Sequence, residues 1–307
     1  MKNTYTLLAA TLMAVGLLTA CGGGDPVVET PVATTQAVEL SFAATAGSDP
    51  ITCASSLTGM GTSDASGGLK DMRFYIANVK LVRADGSEAP LTLPPNDDWN
   101  ATLGSDGVTL IDLEDNTGTC VGTAATNTTL RGTVPAGNYV GVKMTLGVPF
   151  ALNHTDQGAS TSVTPAAINN AVNPGMAWAW AGGRKFAKIE VTDPGWAAPT
   201  FNVHIGSTGC TGVNPAAGQV DTCSKPNRLD LAFGAFDPTT QKIAVDVKAL
   251  LTGNDVTVNG SGPTGCMSGT TDPECPKVFE ALAIDLAGTG QTVGDGSTQT
   301  VFKVVAK

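Results

Sequence analysis

The sequence predicts an all-β fold: an antiparallel β-sandwich or barrel-like single domain with disulfides. Short segments in which apolar and polar residues alternate recur along the chain, at the period of half-buried strands. The 37 glycines and 18 prolines supply turns between them. An even number of the 7 cysteines remains once Cys21, near the N-terminus, is set aside. Regularly spaced short strands with such turns are typical of sandwiches and barrels.

The N-terminal segment has the pattern of a lipoprotein export signal. Lys2 precedes an apolar stretch, Leu7 to Leu18, that is too short for a membrane-spanning helix but suits a signal-peptide core. It ends in Leu18-Thr19-Ala20-Cys21, which matches a lipobox. We expect residues 1–20 to be removed and Cys21 to be lipidated. The alternative is an ordinary secretory signal that happens to end beside a cysteine.

A tether and one β domain are predicted to follow. Three glycines after Cys21 and a proline-rich run assign residues 21–37 to a flexible tether. Residues 38–307 are predicted to form a single domain. Strands are predicted over residues 38–42, 72–76, 79–82, 108–113, 129–134, 139–146, 185–191, 201–205, 229–233, 243–247 and 301–305.

Some elements have more specific expectations. The Pro135-Ala136-Gly137-Asn138 turn predicts a hairpin between strands 129–134 and 139–146. A short helix is predicted over 165–171, with Thr164 as its cap, and a helix over 245–251 competes with the strand there. The final third, with the loop between Cys266 and Cys275, is expected to form a separate sheet layer.

Composition and charge exclude several classes of function. A net charge of -10 and a pI near 4.5 argue against nucleic acid or an anionic membrane face as partner. No Ser-His-Asp set, paired catalytic carboxylates or phosphate loop stands out, so we expect a protein that is not an enzyme. Glycines rather than aspartate follow Cys21, which by analogy with enteric sorting favours the outer membrane within the cell envelope.

The remaining cysteines predict structural disulfides. They are Cys53, Cys120, Cys210, Cys223, Cys266 and Cys275. None forms the Cys-x-x-Cys spacing of zinc or thiol redox sites, and cysteines of exported proteins normally pair. Proximity along the chain suggests 210 with 223 and 266 with 275, which leaves 53 with 120. Six cysteines allow about 15 arrangements, so other pairings stay open.

The chain has only 2 histidines, and both follow or lie in predicted strands. Between His154 and His204 lies Met176-Ala177-Trp178-Ala179-Trp180, where strand alternation places Met176, Trp178 and Trp180 on one face. If that face meets both histidines, an aromatic pocket with two imidazoles results. Neutral imidazole suits copper, zinc, iron and nickel. The alternative is a pair of structural histidines with tryptophans that pack in the core.

Several ordered motifs resemble those of the MbnP-like proteins, also called metallo-mystery pair system four-Cys motif proteins. The matching segments are Leu69–Val79, Leu113-Glu114-Asp115 before Cys120, Gly147–Phe150 with Asn153-His154, Met176–Trp180 with Gly183–Phe186, His204–Cys210, and Cys266-Met267-Ser268 with Cys275. They span nearly the whole mature chain.

The resemblance implies a periplasmic or surface copper-binding protein that works beside a di-haem enzyme of the MauG and cytochrome c peroxidase type. That partner oxidises a tryptophan to kynurenine, whose amine binds copper together with two histidines. Carried over to this chain, His154 and His204 are the imidazole ligands and Trp178 or Trp180 is oxidised. Met176 is a further candidate for a third ligand.

One departure from a related protein bears on the third ligand. In the methanotroph secreted copper protein the modified tryptophan lies two positions before a ligand histidine, and here Leu152 holds that place. Copper held by the two histidines alone is therefore a further possibility. The competing functions are a carbohydrate-binding or other surface-ligand module without metal, with Trp99, Trp178, Trp180 and Trp196 as a stacking face, and a structural envelope lipoprotein.

Overall fold

The computed structural model describes residues 34–155, 164–178 and 183–307. The predicted signal peptide, Cys21, nearly all of the predicted tether and Trp180 lie outside these residues. Within them, the strands are β1 (Thr35–Ala46), β2 (Asp49–Pro50), β3 (Ser56–Met60), β4 (Ala65–Arg83), β5 (Glu88–Pro90), β6 (Asn100–Leu103), β7 (Asp106–Asp112), β8 (Thr129–Pro135), β9 (Tyr139–Leu146), β10 (Ala187–Thr192), β11 (Thr200–Ile205), β12 (Thr208–Thr211), β13 (Thr222–Lys225), β14 (Leu229–Phe233), β15 (Gln241–Asp246) and β16 (Phe302–Ala306). The helices are α1 (Phe150–Asn153), α2 (Val247–Leu251) and α3 (Cys275–Ala281).

Strand β4 is the centre of the larger sheet. Its 19 residues pair with five other strands, and the sheet order is β11-β10-β4-β7-β6, with β3, β5, β9 and β14 attached to this path. Most of β4 is buried, on both faces. A strand covered on both faces can place polar groups away from water, which matters for the site described below.

The smaller sheet packs against one face of the larger. Its order is β16-β15-β1-β2, with β8 also on β1, and every pair is antiparallel except the parallel β1–β15 pair. Phe42 of β1 and Phe302 of β16 contact Phe74 of β4 edge-on, with ring centroids 5.6 and 5.9 Å apart. One continuous apolar core fills the space between the sheets. The predicted all-β sandwich is confirmed.

The predicted hairpin between β8 and β9 is wrong, although both strands exist. β8 pairs with β1, whereas β9 pairs with β4 and β14 in the other sheet. Beyond the last β8 residue, the Ala136 amide still donates to the Thr34 carbonyl at 2.8 Å. The turn therefore carries the chain from one sheet to the other, and turn residues alone do not distinguish that path from a hairpin.

Two further boundaries differ from expectation. β1 begins at Thr35, inside the segment assigned to the tether. Only a single 3-10 turn, Ala166–Ile168, forms where a helix was predicted, and its N-cap residue is Pro165 instead of Thr164.

Strand and helix share the ambiguous segment 245–251. β15 ends at Asp246, whose carboxylate accepts from the Lys248 and Ala249 amides and so caps α2. The final third contributes β14 to the larger sheet and β15 and β16 to the smaller one, with α2 and α3 beside them. Apart from the two-stranded β12–β13 sheet, it therefore forms no sheet layer of its own, and that prediction is wrong.

The three suggested disulfides are confirmed. Cys53–Cys120, Cys210–Cys223 and Cys266–Cys275 are bonded. The first and third are buried, while the second is half-exposed and links β12 to β13 in a separate two-stranded sheet. None of the described helices combines the length and apolar character needed to cross a membrane.

Candidate functional site

The site lies on the face of the larger sheet opposite the smaller sheet. Asp71, Arg73 and Tyr75 point to this face from β4, since alternate residues of a strand share a face. The segment 164–178 covers them: the Tyr75 hydroxyl donates to the Ala167 carbonyl at 2.8 Å, and Arg73 Nη2 donates to the Pro174 carbonyl at 3.2 Å. Polar side chains on this face are therefore closed off from water.

His204 is held from both its backbone and its ring. Its amide donates to the Cys266 carbonyl at 2.9 Å, and Ser268 Oγ donates to the His204 carbonyl at 2.9 Å. The ring Nε2 lies 2.7 Å from Glu190 Oε1 on β10, and the histidine is only 6% exposed. The Cys266–Cys275 disulfide closes the loop whose residues Cys266 and Ser268 make these backbone hydrogen bonds to His204.

A buried charged row, made of Asp71, Arg73, Lys188, Glu190 and His204, crosses β4, β10 and β11. Arg73 donates to both carboxylate oxygens of Asp71 at 2.9 and 2.6 Å. Lys188 Nζ bridges the carboxylates of Asp71 and Glu190, the latter at 3.0 Å. Strand register produces this order, because Arg73 lies beside Lys188 and Lys188 beside His204.

The electrostatics of the row favour an ionised Glu190 and a neutral His204. Burial opposes ionisation of Glu190, but the hydrogen bond to His204 and the charge and hydrogen bond of Lys188 outweigh it and hold the Glu190 pKa below its usual range. Burial lowers the pKa of His204 despite its hydrogen bond to Glu190. A neutral imidazole has one nitrogen lone pair free for a metal.

Trp178 packs against His204. The two ring centroids are 5.9 Å apart in an edge-on arrangement, and Trp178 is 4% exposed. A Cβ on Gly206 would lie 2.3 Å from the indole Nε1, so this position has room only for glycine. Lys185 Nζ lies 5.4 Å from the indole centroid, and burial, followed by the charge of Lys188, lowers the Lys185 pKa to about 8.

His154 approaches from the end of α1. It is half-buried, and the Phe150 ring lies 4.8 Å from its imidazole. Asn153 Nδ2 lies 3.0 Å and Cys223 Sγ 3.4 Å from the His154 Nε2 atom. Because Cys210 and Cys223 are bonded to each other, they offer no thiolate beside this histidine.

Arg184 connects the tryptophan segment to the histidine helix. Its guanidinium, 1% exposed, donates to the carbonyls of Ile168, Leu152, Asn153 and Thr155 at 2.7–3.0 Å. Its amide donates to Asn153 Oδ1 at 2.7 Å. This residue therefore fixes the turn on which His154 sits.

The structure brings three of the predicted site residues to one region. A Cβ on Gly183 would lie 3.2 Å from His154 Cε1, and the Trp178 amide donates to the Gly183 carbonyl at 2.8 Å. Trp178 in turn contacts His204. Met176 packs in a small second core with Tyr75 and Phe186, and Trp180 lies outside the described residues.

The donor set fits a soft or borderline metal held by imidazoles. His204 directs Nε2 to Glu190, which leaves Nδ1 as the atom for a metal, and the half-buried His154 is the second imidazole of this candidate site. An unmodified Trp178 contributes no ligand, since its indole nitrogen has no free lone pair. A third donor thus requires a chemical change or another group.

Sequence reasoning missed the charged groups around His204. The alternation over residues 185–191 predicts only a half-buried strand, yet Lys188 and Glu190 are 9% and 5% exposed. One signal was present: Asp71 and Arg73 are two residues apart in a strongly apolar stretch, as are Lys188 and Glu190. Opposite charges at matched spacing in two apolar strands indicate a buried network.

Together these features define a disulfide-bonded β-sandwich with a buried neutral histidine, a second histidine and a buried tryptophan beside its larger sheet. The family model described as MbnP matches residues 35–268, and the chain belongs to the MbnP family. Among solved structures, it is similar to MbnP from Methylosinus trichosporium, with 33% sequence identity and a TM-score of 0.75 over 89% of this chain and 99% of that one. No curated protein matches the chain.

Proposed function

We propose that this protein is an extracytoplasmic copper-binding lipoprotein that uses His154 and His204 as ligands and is matured by a partner enzyme. In this proposal Trp178 is the residue converted to kynurenine. The MbnP family membership supports a copper-related role. The single observation that supports the site most is the edge-on packing of buried Trp178 on His204, with His154 one contact away through Gly183.

Conversion of Trp178 supplies the donor that the unmodified site lacks. Oxidative cleavage of the indole C2–C3 bond leaves one oxygen atom on each carbon and removes four electrons. The step balances if the partner di-haem protein consumes two molecules of hydrogen peroxide, each of which supplies one oxygen atom and leaves as water. Hydrolysis of the resulting N-formyl group releases formate and leaves an aniline nitrogen and a ketone. Copper is the metal expected for two imidazoles and such a nitrogen.

In this proposal the lipidated Cys21 anchors the protein in the cell envelope, and the protein has no catalytic turnover of its own.

The proposal is tested by co-expression of the exported chain with and without its di-haem neighbour. Copper content and tryptic mass spectrometry over residues 172–184 are measured in wild type, Trp178→Phe and Trp196→Phe. Trp196 is a matched control, because it is half-buried and its indole nitrogen donates to the Ser66 carbonyl, in a part of the molecule away from the histidines. We expect kynurenine and stoichiometric copper in wild type and Trp196→Phe with the partner, and neither in Trp178→Phe.

Other outcomes assign the site differently. Kynurenine at Trp180 with Trp178 intact would move the modification to the neighbouring tryptophan. Copper that is bound equally with and without the partner would leave a site of two histidines. If copper is absent from all samples, or persists in both His154→Ala and His204→Ala, the metal assignment is wrong.

The surface-ligand alternative gains no comparable support. The described tryptophans, Trp99, Trp178 and Trp196, are buried or half-buried, and they pack in different parts of the molecule. A large open groove of about 1350 Å³ lies elsewhere on the larger sheet, near Asn78 and Lys143, and none of these tryptophans lines it.

A further inference from the structure

The Glu190 carboxylate is surrounded by three donor side chains. Its Oε1 atom is 2.7 Å from His204 Nε2 and 3.0 Å from Lys188 Nζ, and its Oε2 atom is 3.6 Å from Lys70 Nζ. Glu190 is 5% exposed, and Lys188 is anchored on its other side by Asp71. The carboxylate is therefore held in place independently of His204.

The charges of the row determine what the His204 ring must do. Within the row Asp71 and Glu190 balance Arg73 and Lys188, and Lys70 adds a further positive charge beside Glu190. Glu190 is therefore paired without a charge on the imidazole. A carboxylate that already accepts from a lysine has no proton to give and can only accept from the ring. The proton of a neutral His204 is then on Nε2, and its lone pair is on Nδ1.

We propose that Glu190 is a positioning residue that fixes His204 in the Nε2–H tautomer and so presents the Nδ1 lone pair to the metal, with Lys188 and Asp71 holding Glu190 in place. The proposal rests on the proposed function in that His204 is taken as a copper ligand. Carboxylates that hydrogen-bond the remote nitrogen of a ligand histidine orient the ring and raise its basicity. Copper would then bind to an imidazole ring that needs neither to rotate nor to transfer its proton.

Glutamine at this position would not be a neutral change. An amide can turn its NH2 group toward the ring, where it donates to Nε2 and favours the proton on Nδ1. That tautomer blocks the atom meant for copper. Glu190→Gln thus keeps the volume of the side chain and its capacity to hydrogen-bond, but it allows the wrong tautomer.

The first test needs no metal. Long-range proton–nitrogen NMR of the copper-free full chain reports which ring nitrogen bears the proton, and only 2 histidines contribute signals. His154→Ala assigns them. We expect the proton of His204 on Nε2 in wild type, and a reversed or mixed pattern in Glu190→Gln. A wild-type His204 with its proton on Nδ1 overturns the proposal, whatever the copper content.

The second test compares copper affinity in Glu190→Gln with a matched control. Glu88 also bridges two lysines, Lys80 and Lys143, but on a half-exposed strand away from the histidines. We expect Glu190→Gln to weaken copper binding by about 10–100-fold and Glu88→Gln to leave it unchanged. Equal affinity in wild type and Glu190→Gln overturns the proposal.

The two proposals fail separately. If the copper-free protein has the Nε2–H tautomer but binds no copper, the proposed function fails and the role of Glu190 in setting the tautomer stands. If copper binds but the proton of His204 is on Nδ1, the role of Glu190 fails and the proposed function stands.

Discussion

Asp112 provides a direct test of the buried charges on β4 and β7. Its carboxyl group is fully buried, and burial, followed by the negative charge of Glu114, raises its pKa from 3.8 to about 8. Arg73 opposes the shift, but its guanidinium already donates twice to Asp71. At neutral pH the folded protein therefore keeps Asp112 protonated, whereas the unfolded chain ionises it.

The sign and size of the effect follow from linkage. Because the pKa is higher in the folded state, the contribution of Asp112 to stability is complete below about pH 3.8 and is lost as the pH rises to about 8. Each pH unit inside this window lowers the free energy of unfolding by about 1.4 kcal/mol. Through this group alone, a rise from pH 5 to pH 8 lowers the free energy of unfolding by about 3–4 kcal/mol.

Asp112→Asn removes the ionisable group and with it this slope. We expect the stability of the variant relative to wild type to increase by about 2–4 kcal/mol from pH 5 to pH 8. The lower bound allows for water that reaches the ionised carboxylate. Urea unfolding of copper-free, oxidised protein at both pH values measures this change, and Asp98→Asn, at an exposed position, is the control. If the wild-type and Asp112→Asn stabilities run parallel with pH, Asp112 is ionised in the folded state and the reasoning is wrong.

Three further predictions concern the site. Gly206→Ala should displace Trp178, whose Nε1 lies 2.3 Å from the new Cβ, and should lower the free energy of unfolding by about 1–3 kcal/mol. Urea unfolding measures the loss of stability and a red shift of tryptophan emission reports the displacement, whereas an unchanged emission spectrum would contradict the prediction. Arg184→Lys replaces a guanidinium that binds four carbonyls with a single ammonium, so hydrogen exchange over residues 147–155 should accelerate while exchange in the smaller sheet stays the same. Under native conditions a mild dithiol should reduce the half-exposed Cys210–Cys223 before the two buried disulfides; alkylation and mass spectrometry follow the order, and simultaneous release of all six thiols would refute it.

Local pattern predicted the strands far better than their partners. The alternation in residues 129–146 identified β8 and β9, yet the Pro135–Asn138 turn joins different sheets instead of a hairpin. Side-chain alternation reflects which face of a strand is apolar, whereas pairing depends on which distant strand completes the core. The parallel β1–β15 pair is decided in the same way, by residues about two hundred positions apart.

For the site, the residue types and motifs in the sequence pointed to His154, His204 and the Met176–Trp180 segment. The supporting residues were not predicted. In the sequence Lys188 and Glu190 have the spacing of the solvent-exposed side of an amphipathic strand, but in the structure the 164–178 segment covers that face. The role of Arg184 depends on hydrogen bonds to carbonyls of two segments that are distant in sequence. Their function depends on long-range burial, which a local pattern does not contain.

The sequence by itself determined the all-β class, most of the strands and the family resemblance, because alternation, turn residues and spaced motifs are local properties of the chain. Proximity along the chain suggested the cysteine pairing but left other pairings open. Only the tertiary structure decided which sheet each strand joins, that the charged row is buried, and that Trp178 meets the His204 ring. The physical reason is that the hydrogen bonds of Glu190 and the packing of Trp178 exist only after the larger sheet has aligned β4, β10 and β11 and the covering segment has excluded water.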